Sequence, residues 1–449
     1  MHATCFQKRE QYCNNDRGTS SAKQAEIRTE GVKNDAVSVK RADLRTERLG
    51  NTTMDRNKIH KLTAEAIDLL REMVAIPSPS FSEDAVCTHI CNWLTDKGII
   101  YKRAGNNIIA ALSWQKTQDE HLKDKHSEGH SHKPTLMLCA HIDTVAPCEG
   151  YTFDPYRPED CPGNMVQGLG SNDDGASVVS MIAAFRYFMA GHGGAAPGAE
   201  AWENAPLARA AMTDAHDLLL VLSCEEERSG MNGMTGLWPQ IKDQIDFAII
   251  GEPTGMKAAT SERGLLVIDA TAHGISGHAA RNEGINAIEI ALEDIQALKY
   301  HEFVKVSPLM GKVNLNVTQI NAGTAHNVIP DICTFVIDIR PTEQYTNEEI
   351  LKELQAICKS DLKARNLSNR SSACRENSPL QQAVEKMGIG TFSSPTTSDW
   401  MRIDCDAIKM GPGESSRSHK EDEFVFIDEI AGGIRTYIDF INGFFEIIL

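Results

Sequence analysis

Five clusters of acidic residues and histidines follow one another along this chain, and each carries side chains that can bind a metal ion. The clusters are His141-Ile142-Asp143, Asp173-Asp174 within the glycine-rich residues 168–175, Glu225-Glu226-Glu227, Glu252, and His419 after Gly411-Pro412-Gly413. Most of them follow an apolar run that is typical of a buried strand, and groups at strand ends can converge on one point. Five such groups suffice for two metal ions that share a carboxylate. A site of that kind with a spare glutamate can hydrolyse a bond by activating water.

The first two clusters suit metal binding by residue type. The apolar run Leu136-Met137-Leu138-Cys139-Ala140 delivers His141, and a neutral imidazole is a good zinc ligand. Asp143, two residues later, can hold the other ring N–H and so fix the tautomer. The glycines around Asp173 permit a tight turn, and we expect this aspartate to bridge two metals. A phosphate-binding loop is excluded here because the lysine and the glycine spacing of that motif are missing.

The three consecutive glutamates follow the apolar run 218–224. Adjacent residues at the end of an extended strand point in different directions, so one glutamate can bind a metal while its neighbour faces the attacking water. Glu252 follows another apolar run and precedes Pro253, which restricts the local backbone. Each cluster taken alone also fits an exposed acidic or surface loop. Five of them in this order, mostly after apolar strands, indicate a metal site.

The composition of the 449-residue chain narrows the class of protein. A formal net charge of -17 and the lack of a basic stripe argue against a nucleic-acid partner. The 12 cysteines show no framework spacing, which favours reduced thiols in a cytoplasmic protein. No apolar run reaches the length of a membrane span, and the N-terminus lacks the apolar core of a signal peptide. We therefore predict a cytoplasmic protein with neither a membrane nor a nucleic-acid partner.

The hydrophobic pattern predicts an α/β fold with a smaller α+β insertion. The predicted helices cover residues 62–73, 83–97, 175–189, 286–298, 348–363 and 380–387, and a last helix begins at Ile427. The predicted strands cover residues 107–112, 134–140, 217–222, 247–250, 265–272, 312–320, 333–339 and 407–410. We divide the chain into a disordered extension (1–56), a catalytic domain in two parts (57–264 and 373–449) and a lid domain (265–372). Two further segments are predicted to be insertions: a histidine-rich loop (115–133), which is expected to be incidental to the metal site, and residues 191–214.

As a set, the motifs resemble the family of two-zinc amidohydrolases that includes acetylornithine deacetylase, succinyl-diaminopimelate desuccinylase and glutamate carboxypeptidase. The resemblance runs from about Ala64 to the C-terminus, outside the two insertions. It implies a mixed-sheet metallopeptidase catalytic domain with an inserted, ferredoxin-like lid and dimerisation domain. The implied ligands are His141, Asp173 and Glu252 for one metal, and Asp173, Glu227 and His419 for the second. The implied metal is zinc, with cobalt or manganese as alternatives.

The same resemblance assigns roles to residues that do not bind metal. It implies that Glu226 is the general base and that Asp143 supports His141. Gly274-Ile275-Ser276-Gly277-His278 resembles the start of the lid domain, through which subunits of that family form homodimers. In that family, the histidine that corresponds to His278 reaches the active site, often from the partner subunit, and stabilises the oxyanion.

Two more lid motifs, residues 322–330 and Asp338-Ile339-Arg340-Pro341, resemble those of the family. They imply that Asn327 and Arg340 contact the substrate. An arginine suits a carboxylate because its guanidinium can donate two parallel hydrogen bonds.

Two segments, Gly-Leu-Gly-Ser-Asn-Asp and Ser-Ser-Arg-Ser-His, resemble those of the acetylornithine/succinylornithine deacetylase branch of this family. This implies hydrolysis of an Nα-acyl amino acid: Nα-acetylornithine, or Nα-succinylornithine, to ornithine plus acetate or succinate, in arginine biosynthesis. A dipeptidase or carboxypeptidase of the same family is an alternative, and a non-catalytic binding protein that kept the fold is a more remote one. The resemblance also implies a cis peptide between Asp173 and Asp174.

Overall fold

The computed structural model of the chain describes residues 53–115, 133–158, 162–189, 216–281 and 283–448. The predicted extension before residue 53, the insertion at 191–214 and all but the ends of the histidine-rich loop lie outside the described residues. The α-helices are α1 (Thr53–Val74), α2 (Asp84–Asp96), α3 (Ala176–Met189), α4 (Met234–Ile241), α5 (Ala287–Tyr300), α6 (Asn347–Gln355), α7 (Pro379–Met387) and α8 (Ile427–Ile448).

The strands belong to one large sheet, one four-stranded sheet and two small strand pairs. They are β1 (Lys102–Ala104), β2 (Asn107–Ala111), β3 (Thr135–His141), β4 (Met165–Gln167), β5 (Asp217–Ser223), β6 (Phe247–Ile250), β7 (Ala258–Glu262), β8 (Leu266–His273), β9 (Gly277–His278), β10 (Asn314–Ala322), β11 (Val328–Ile329), β12 (Ile332–Arg340), β13 (Asp361–Ala364), β14 (Ser372–Ala373), β15 (Thr391–Ser394), β16 (Asp406–Lys409) and β17 (Phe424–Phe426).

The large sheet places the predicted site residues at one edge. Its strand order is β1-β2-β5-β3-β6-β16-β7-β14, and β15 pairs with β7. β3 pairs in parallel with both β5 and β6, and β6 pairs in parallel with β16. Because the carboxyl ends of parallel strands meet at the same edge of a sheet, the segments that follow these four strands lie side by side. Those segments carry the predicted general base and all of the predicted ligands except Asp173.

Asp173 reaches the same edge from a helix that packs on the sheet. It lies in a tight turn, Ser171–Gly175, directly before α3. α3 is apolar along almost its whole length, and all of its residues but Arg186 are buried. It packs against α1 and α8, and it also contacts β3 and β5. Burial of this helix on both sides therefore fixes the position of the turn before it.

A second, separate hydrophobic core lies in the inserted unit. β10, β12, β8 and β13 form an antiparallel sheet in that order, and α5 packs on β12, β8 and β10. The inner face of this sheet is apolar at alternate positions; for example, Leu266, Ile268 and Ala270 of β8 are buried. A mixed-sheet unit with an inserted α+β unit is the fold class that the pattern predicts.

Two element predictions were wrong in part. The helix predicted over 348–363 ends at Gln355, and Asp361–Ala364 instead forms β13, which pairs with β8. Asp294 interrupts any continuation of the helix by accepting the backbone N–H groups of Lys359 and Ser360. The first helix begins at Thr53 rather than at residue 62. The first turns of this helix are too polar to show a hydrophobic pattern. Lys58 is nevertheless buried there, and its ammonium donates a hydrogen bond to the carbonyl of Tyr187.

Candidate metal centre

His141 lies at the end of β3 with its ring oriented for metal binding. Its Nδ1 is 3.0 Å from the backbone carbonyl of Asp143, and a carbonyl can only accept, so Nδ1 donates. Nε2 therefore faces the site, 3.2 Å from Asp173 Oδ1. Burial by itself would lower the pKa of this imidazole, but hydrogen bonds to Asp143 and Asp173 raise it well above its ordinary value in the metal-free protein.

Asp173 lies between the two predicted histidine ligands. Its Oδ1 faces His141, and its Oδ2 is 3.8 Å from His419 Nε2. The carboxylate is buried, and the peptide that follows it is cis, as predicted. Because each carboxylate oxygen faces a different imidazole, this side chain is placed where it could bridge two metal ions.

The three consecutive glutamates point in different directions, as expected for the end of a strand. Glu225 has a left-handed backbone (φ 58°), and its carboxylate turns away to accept the backbone and side-chain N–H groups of Asn232. Glu227 Oε1 lies 2.9 Å from His419 Nε2. Glu226 lies with Glu252 and His141, and ligand atoms of these three residues are all within 4.8 Å of one another.

A second triplet, His141, Asp173 and Glu227, meets the same 4.8 Å limit. The structure thus brings together all five predicted ligands and the predicted base. Two imidazoles and three or four carboxylates form the mixed nitrogen and oxygen donor set that zinc, cobalt and manganese accept.

The charges of this cluster favour a bound cation. Burial raises the pKa of the Glu226 carboxyl well above its ordinary value, and the neighbouring Glu252 raises it further. Burial has the same effect on Glu252, which Asp173 reinforces. A divalent cation would offset this crowding of carboxylates in a buried place. The residues present therefore fit a two-metal centre.

Asp143 contacts both His141 and the loop of Glu226 and Glu227, although it is not one of the predicted metal ligands. Its carboxylate oxygens accept the backbone N–H groups of Glu226 and Glu227, at 3.0 and 3.1 Å. Ser80 donates a hydrogen bond to it as well, at 2.7 Å. Burial would raise the pKa of this carboxyl, yet the hydrogen bonds from His141, Ser80 and Glu226 lower it below its ordinary value. Asp143 thereby orients the glutamate loop in addition to His141.

Sequence reasoning missed three buried acids around the centre. Asp399 accepts a 2.6 Å hydrogen bond from Ser223 at the end of β5, and burial raises its pKa to about 6. Glu262 pairs with the buried Lys409 over 3.3 Å. Glu423 accepts backbone N–H groups from the turn that carries Asp173. These residues lie far along the chain from their partners. A polar residue at the end of a strand was a signal for Glu262, which ends β7, whereas Glu423 carries no local signal.

The predicted lid residues lie outside the cluster of carboxylates and imidazoles. His278 and Asn327 are exposed, and His278 Nδ1 accepts the backbone N–H of Ala280 at 3.2 Å. Arg340 donates two hydrogen bonds to Asp338, at 2.9 and 3.1 Å. The roles of all three residues toward a substrate stay predictions.

The chain is similar to several known proteins. Residues 260–366 match a family model described as a peptidase dimerisation domain. The chain is 26% identical to acetylornithine deacetylase of Proteus mirabilis over 80% of this chain and 91% of the relative. It is 25% identical to succinyl-diaminopimelate desuccinylase of Corynebacterium glutamicum, over 82% and 94% of the two chains. A solved Bacillus subtilis structure, described as a dinuclear metal binding peptidase from the M20 family, has the same fold with a TM-score of 0.60, 15% identity, and coverage of 86% and 98%.

Over most of its length the chain is thus similar to hydrolases that cleave amide bonds, and it shares the fold of a dinuclear metal-binding peptidase. The resemblance to the metallopeptidase family of acetylornithine deacetylase and succinyl-diaminopimelate desuccinylase is thereby confirmed, as is the predicted fold class. Within the described residues, no helix is both long and apolar enough to cross a membrane.

Proposed function

We propose that this protein removes the acyl group of an Nα-acyl amino acid by hydrolysis, with Nα-acetylornithine or Nα-succinylornithine as substrate. The observation that carries the proposal is the position of Asp173 between His141 and His419, with Glu226 nearby beside His141 and Glu252. The names of the two curated relatives, a deacetylase and a desuccinylase, support the choice of an acyl amino acid.

The residues divide into two ligand sets that share one carboxylate. As the family resemblance implies, we assign His141, Asp173 and Glu252 to one metal, and Asp173, Glu227 and His419 to the second. Glu252 lies near His141, and Glu227 lies near His141, Asp173 and His419. Zinc is the proposed metal, and cobalt and manganese, which the same donor set accepts, are the alternatives. When bound, the metals would act as Lewis acids that polarise the acyl carbonyl and make water a stronger nucleophile.

Glu226 is the general base of the proposed reaction. It lies beside Glu252 and His141. A carboxylate within hydrogen-bond reach of the attacking water can take its proton. Glu226 accepts a proton from water as the water oxygen forms a bond to the acyl carbon, and it then passes this proton to the nitrogen of the leaving amine. The C–N bond then breaks, and a carboxylic acid and a free amine leave the site.

The lid residues would bind the rest of the substrate. The Nδ1 atom of His278 accepts the N–H of Ala280, so the proton of the neutral ring lies on Nε2, which can donate to the oxyanion. Loss of one such donor lowers the rate by about 10²–10³ in comparable sites. Asn327 and Arg340 would hold the α-carboxylate, and Arg340 would do so with the part of its guanidinium that Asp338 leaves open.

The proposed assembly is a homodimer through the lid domain, which the matched dimerisation domain supports. β10 is an edge strand of the lid sheet, and most of its residues are exposed. An exposed edge strand is a template for pairing with a second chain.

The test is a substrate panel with zinc-loaded protein. We would incubate it with Nα-acetylornithine, Nα-succinylornithine, Nα-acetylcitrulline and a set of dipeptides, and measure the release of free amine. We expect strong release from one acyl amino acid. Release from dipeptides alone would show a dipeptidase with the same site, and no release with two metals bound would favour a binding protein.

A further inference from the structure

Glu423 is a buried carboxylate that holds the turn bearing the shared ligand. It lies four residues after His419 and is 2% exposed. Its Oε1 accepts the backbone N–H groups of Asn172 and Asp173, both at 2.9 Å, and its Oε2 accepts that of Gly170 at 3.1 Å. One side chain thus satisfies three backbone donors of a single turn, and hydrogen bonds to a carboxylate are among the stronger ones in proteins.

The backbone of the same residue adds a fourth bond. The N–H of Gly168 donates to the carbonyl of Glu423 at 2.9 Å. β17, which begins at Phe424, pairs with β4 just before the turn, with Phe424 opposite Gln167. The C-terminal segment is therefore joined to the Asp173 turn by the side chain and the backbone of Glu423, and to β4, just before that turn, by the strand that follows Glu423.

Asn172 forms a second connection between the two segments. Its Oδ1 accepts the backbone N–H of Glu414 at 3.0 Å, and its Nδ2 donates to the carbonyl of Glu414 at 3.2 Å. The loop from Glu414 to Glu423 is thus attached to the Asp173 turn near both of its ends. His419 lies between these two points of attachment, with Nε2 3.8 Å from Asp173 Oδ2.

We propose that Glu423 is a positioning residue that holds Asp173 and His419 at the separation that the metal between them requires. This inference rests on the two-metal site of the proposed function. Glu423 does not need to touch a metal or a substrate. Glu423 lies in the loop that carries His419, and its side chain holds the backbone of Asp173. The affinity for the metal bound by Asp173, Glu227 and His419 therefore depends on Glu423.

The variant that tests this is Glu423→Gln, which keeps the volume of the side chain. A glutamine oxygen can still accept the N–H groups of Asn172 and Asp173, but its amide NH₂ then faces the N–H of Gly170, where two donors meet. Glu421→Gln is the matched control because Glu421 is exposed in the same loop. Glu423→Asp keeps the charge but is one methylene too short to reach all three donors.

The measurement is a calorimetric titration of the metal-free proteins with zinc chloride, alongside thermal unfolding of the same samples. We expect wild type and Glu421→Gln to bind two zinc ions with the same affinities. In Glu423→Gln, one of the two affinities should fall by about 10–100-fold, as for other groups that orient ligands. The other should fall less, because the two metals share Asp173 but only one of them is bound by His419. The visible spectrum of the cobalt-loaded protein should change in parallel, because the coordination of one ion is altered.

Two zinc affinities equal to wild type in Glu423→Gln would overturn the inference, even if the metal-free variant unfolds at a lower temperature, because that result shows a structural role alone. Should Glu423→Gln fail to fold, Glu423→Asp decides in the same titration, and an unchanged affinity overturns the inference there too. A wild-type protein that binds fewer than two zinc ions would contradict the proposed function itself, which is a separate outcome.

Discussion

Glu226 and Glu227 are adjacent in the sequence, yet the structure gives them different surroundings. Glu227 faces His419 across 2.9 Å, whereas Glu226 lies with Glu252 and His141. Asp143 fixes this difference because it accepts the backbone N–H groups of both glutamates. The two side chains can therefore be tested against each other as base and ligand.

Replacement of Glu226 by Gln should abolish turnover while the zinc content stays near that of wild type, because the amide cannot accept the proton of the attacking water. The adjacent variant Glu227→Gln should instead lose one zinc ion. Zinc per protein, measured by atomic emission, and amine release distinguish the two. Loss of zinc in Glu226→Gln with retention in Glu227→Gln would mean that the roles are reversed.

The charge state of His419 predicts a pH dependence of metal binding. In the metal-free protein, the hydrogen bond with Glu227 raises the pKa of His419 to about 9. A histidine binds zinc without its proton, so below this pH zinc must displace the proton, and the affinity should fall by up to about tenfold per pH unit. By the same linkage, the ion pair stabilises the metal-free protein below about pH 6.5, and this contribution is lost as the pH rises through about 9.

Zinc titrations in buffers of different ionisation enthalpy measure the released protons. His419→Gln should release about one proton fewer than wild type near neutral pH. The same proton release from both proteins would show that His419 is not a ligand.

At the scale of elements, the buried pair of Lys409 and Glu262 joins two strands of the large sheet. Lys409 ends β16 and Glu262 ends β7, and the two side chains are 2% and 0% exposed. The Lys409 ammonium also lies 3.2 Å from the carbonyl of Thr396, and Ser398 donates to Glu262 at 2.6 Å. Burial raises the pKa of Glu262 even with the lysine beside it.

Lys409→Met should lower the free energy of unfolding by about 3–5 kcal/mol, because it leaves Glu262 buried without a counter-charge. The double variant Lys409→Met with Glu262→Met should recover most of that loss. Lys386→Met is the control, since its 2.9 Å pair with Glu446 is half-exposed and should cost about 0–1 kcal/mol. Urea unfolding of the metal-free proteins measures all three, and equal costs at the two lysines would contradict the argument.

At the scale of the whole molecule, the lid presents an apolar surface beside its edge strand. Ile288 and Leu292, one turn apart on α5, are 40% and 61% exposed, and Ile320 of β10 is 53% exposed. α5 packs next to β10, whereas Ile357 follows α6, which packs on β13 at the other edge of the lid sheet. The proposed dimer would cover the first of these two edges.

Leu292→Glu should convert the dimer to a monomer, because a charge would be buried in an apolar contact. Ile357→Glu, at the opposite edge of the lid sheet, should leave the dimer intact. Light scattering after size-exclusion chromatography gives the mass of each variant. A dimer that survives Leu292→Glu would exclude this face of α5 as the interface. If His278 acts from the partner subunit, the monomer should also lose turnover.

The ligand types and their order were readable from the sequence, because each follows a local rule. An apolar run of β-strand length places a histidine or a glutamate at the end of a strand, which made His141, the glutamates at 225–227 and Glu252 candidate ligands. The choice of Glu227 among the three glutamates came from the family resemblance. The parallel strands β3, β5 and β6 could be predicted from the same runs. Asp361–Ala364 could not, because its strand state comes from pairing with β8, a long-range contact that outweighs the helical pattern before it.

The tertiary structure decided how the clusters meet. Only the parallel order of the strands brings the ends of β3, β5 and β6 to one edge, and only the burial of α3 brings Asp173 between His141 and His419. The buried acids that hold this arrangement, such as Glu423, have no local signal, because their partners are backbone N–H groups about 250 residues away in the chain. Residue types thus determined which chemistry was available, and long-range packing determined where it converges.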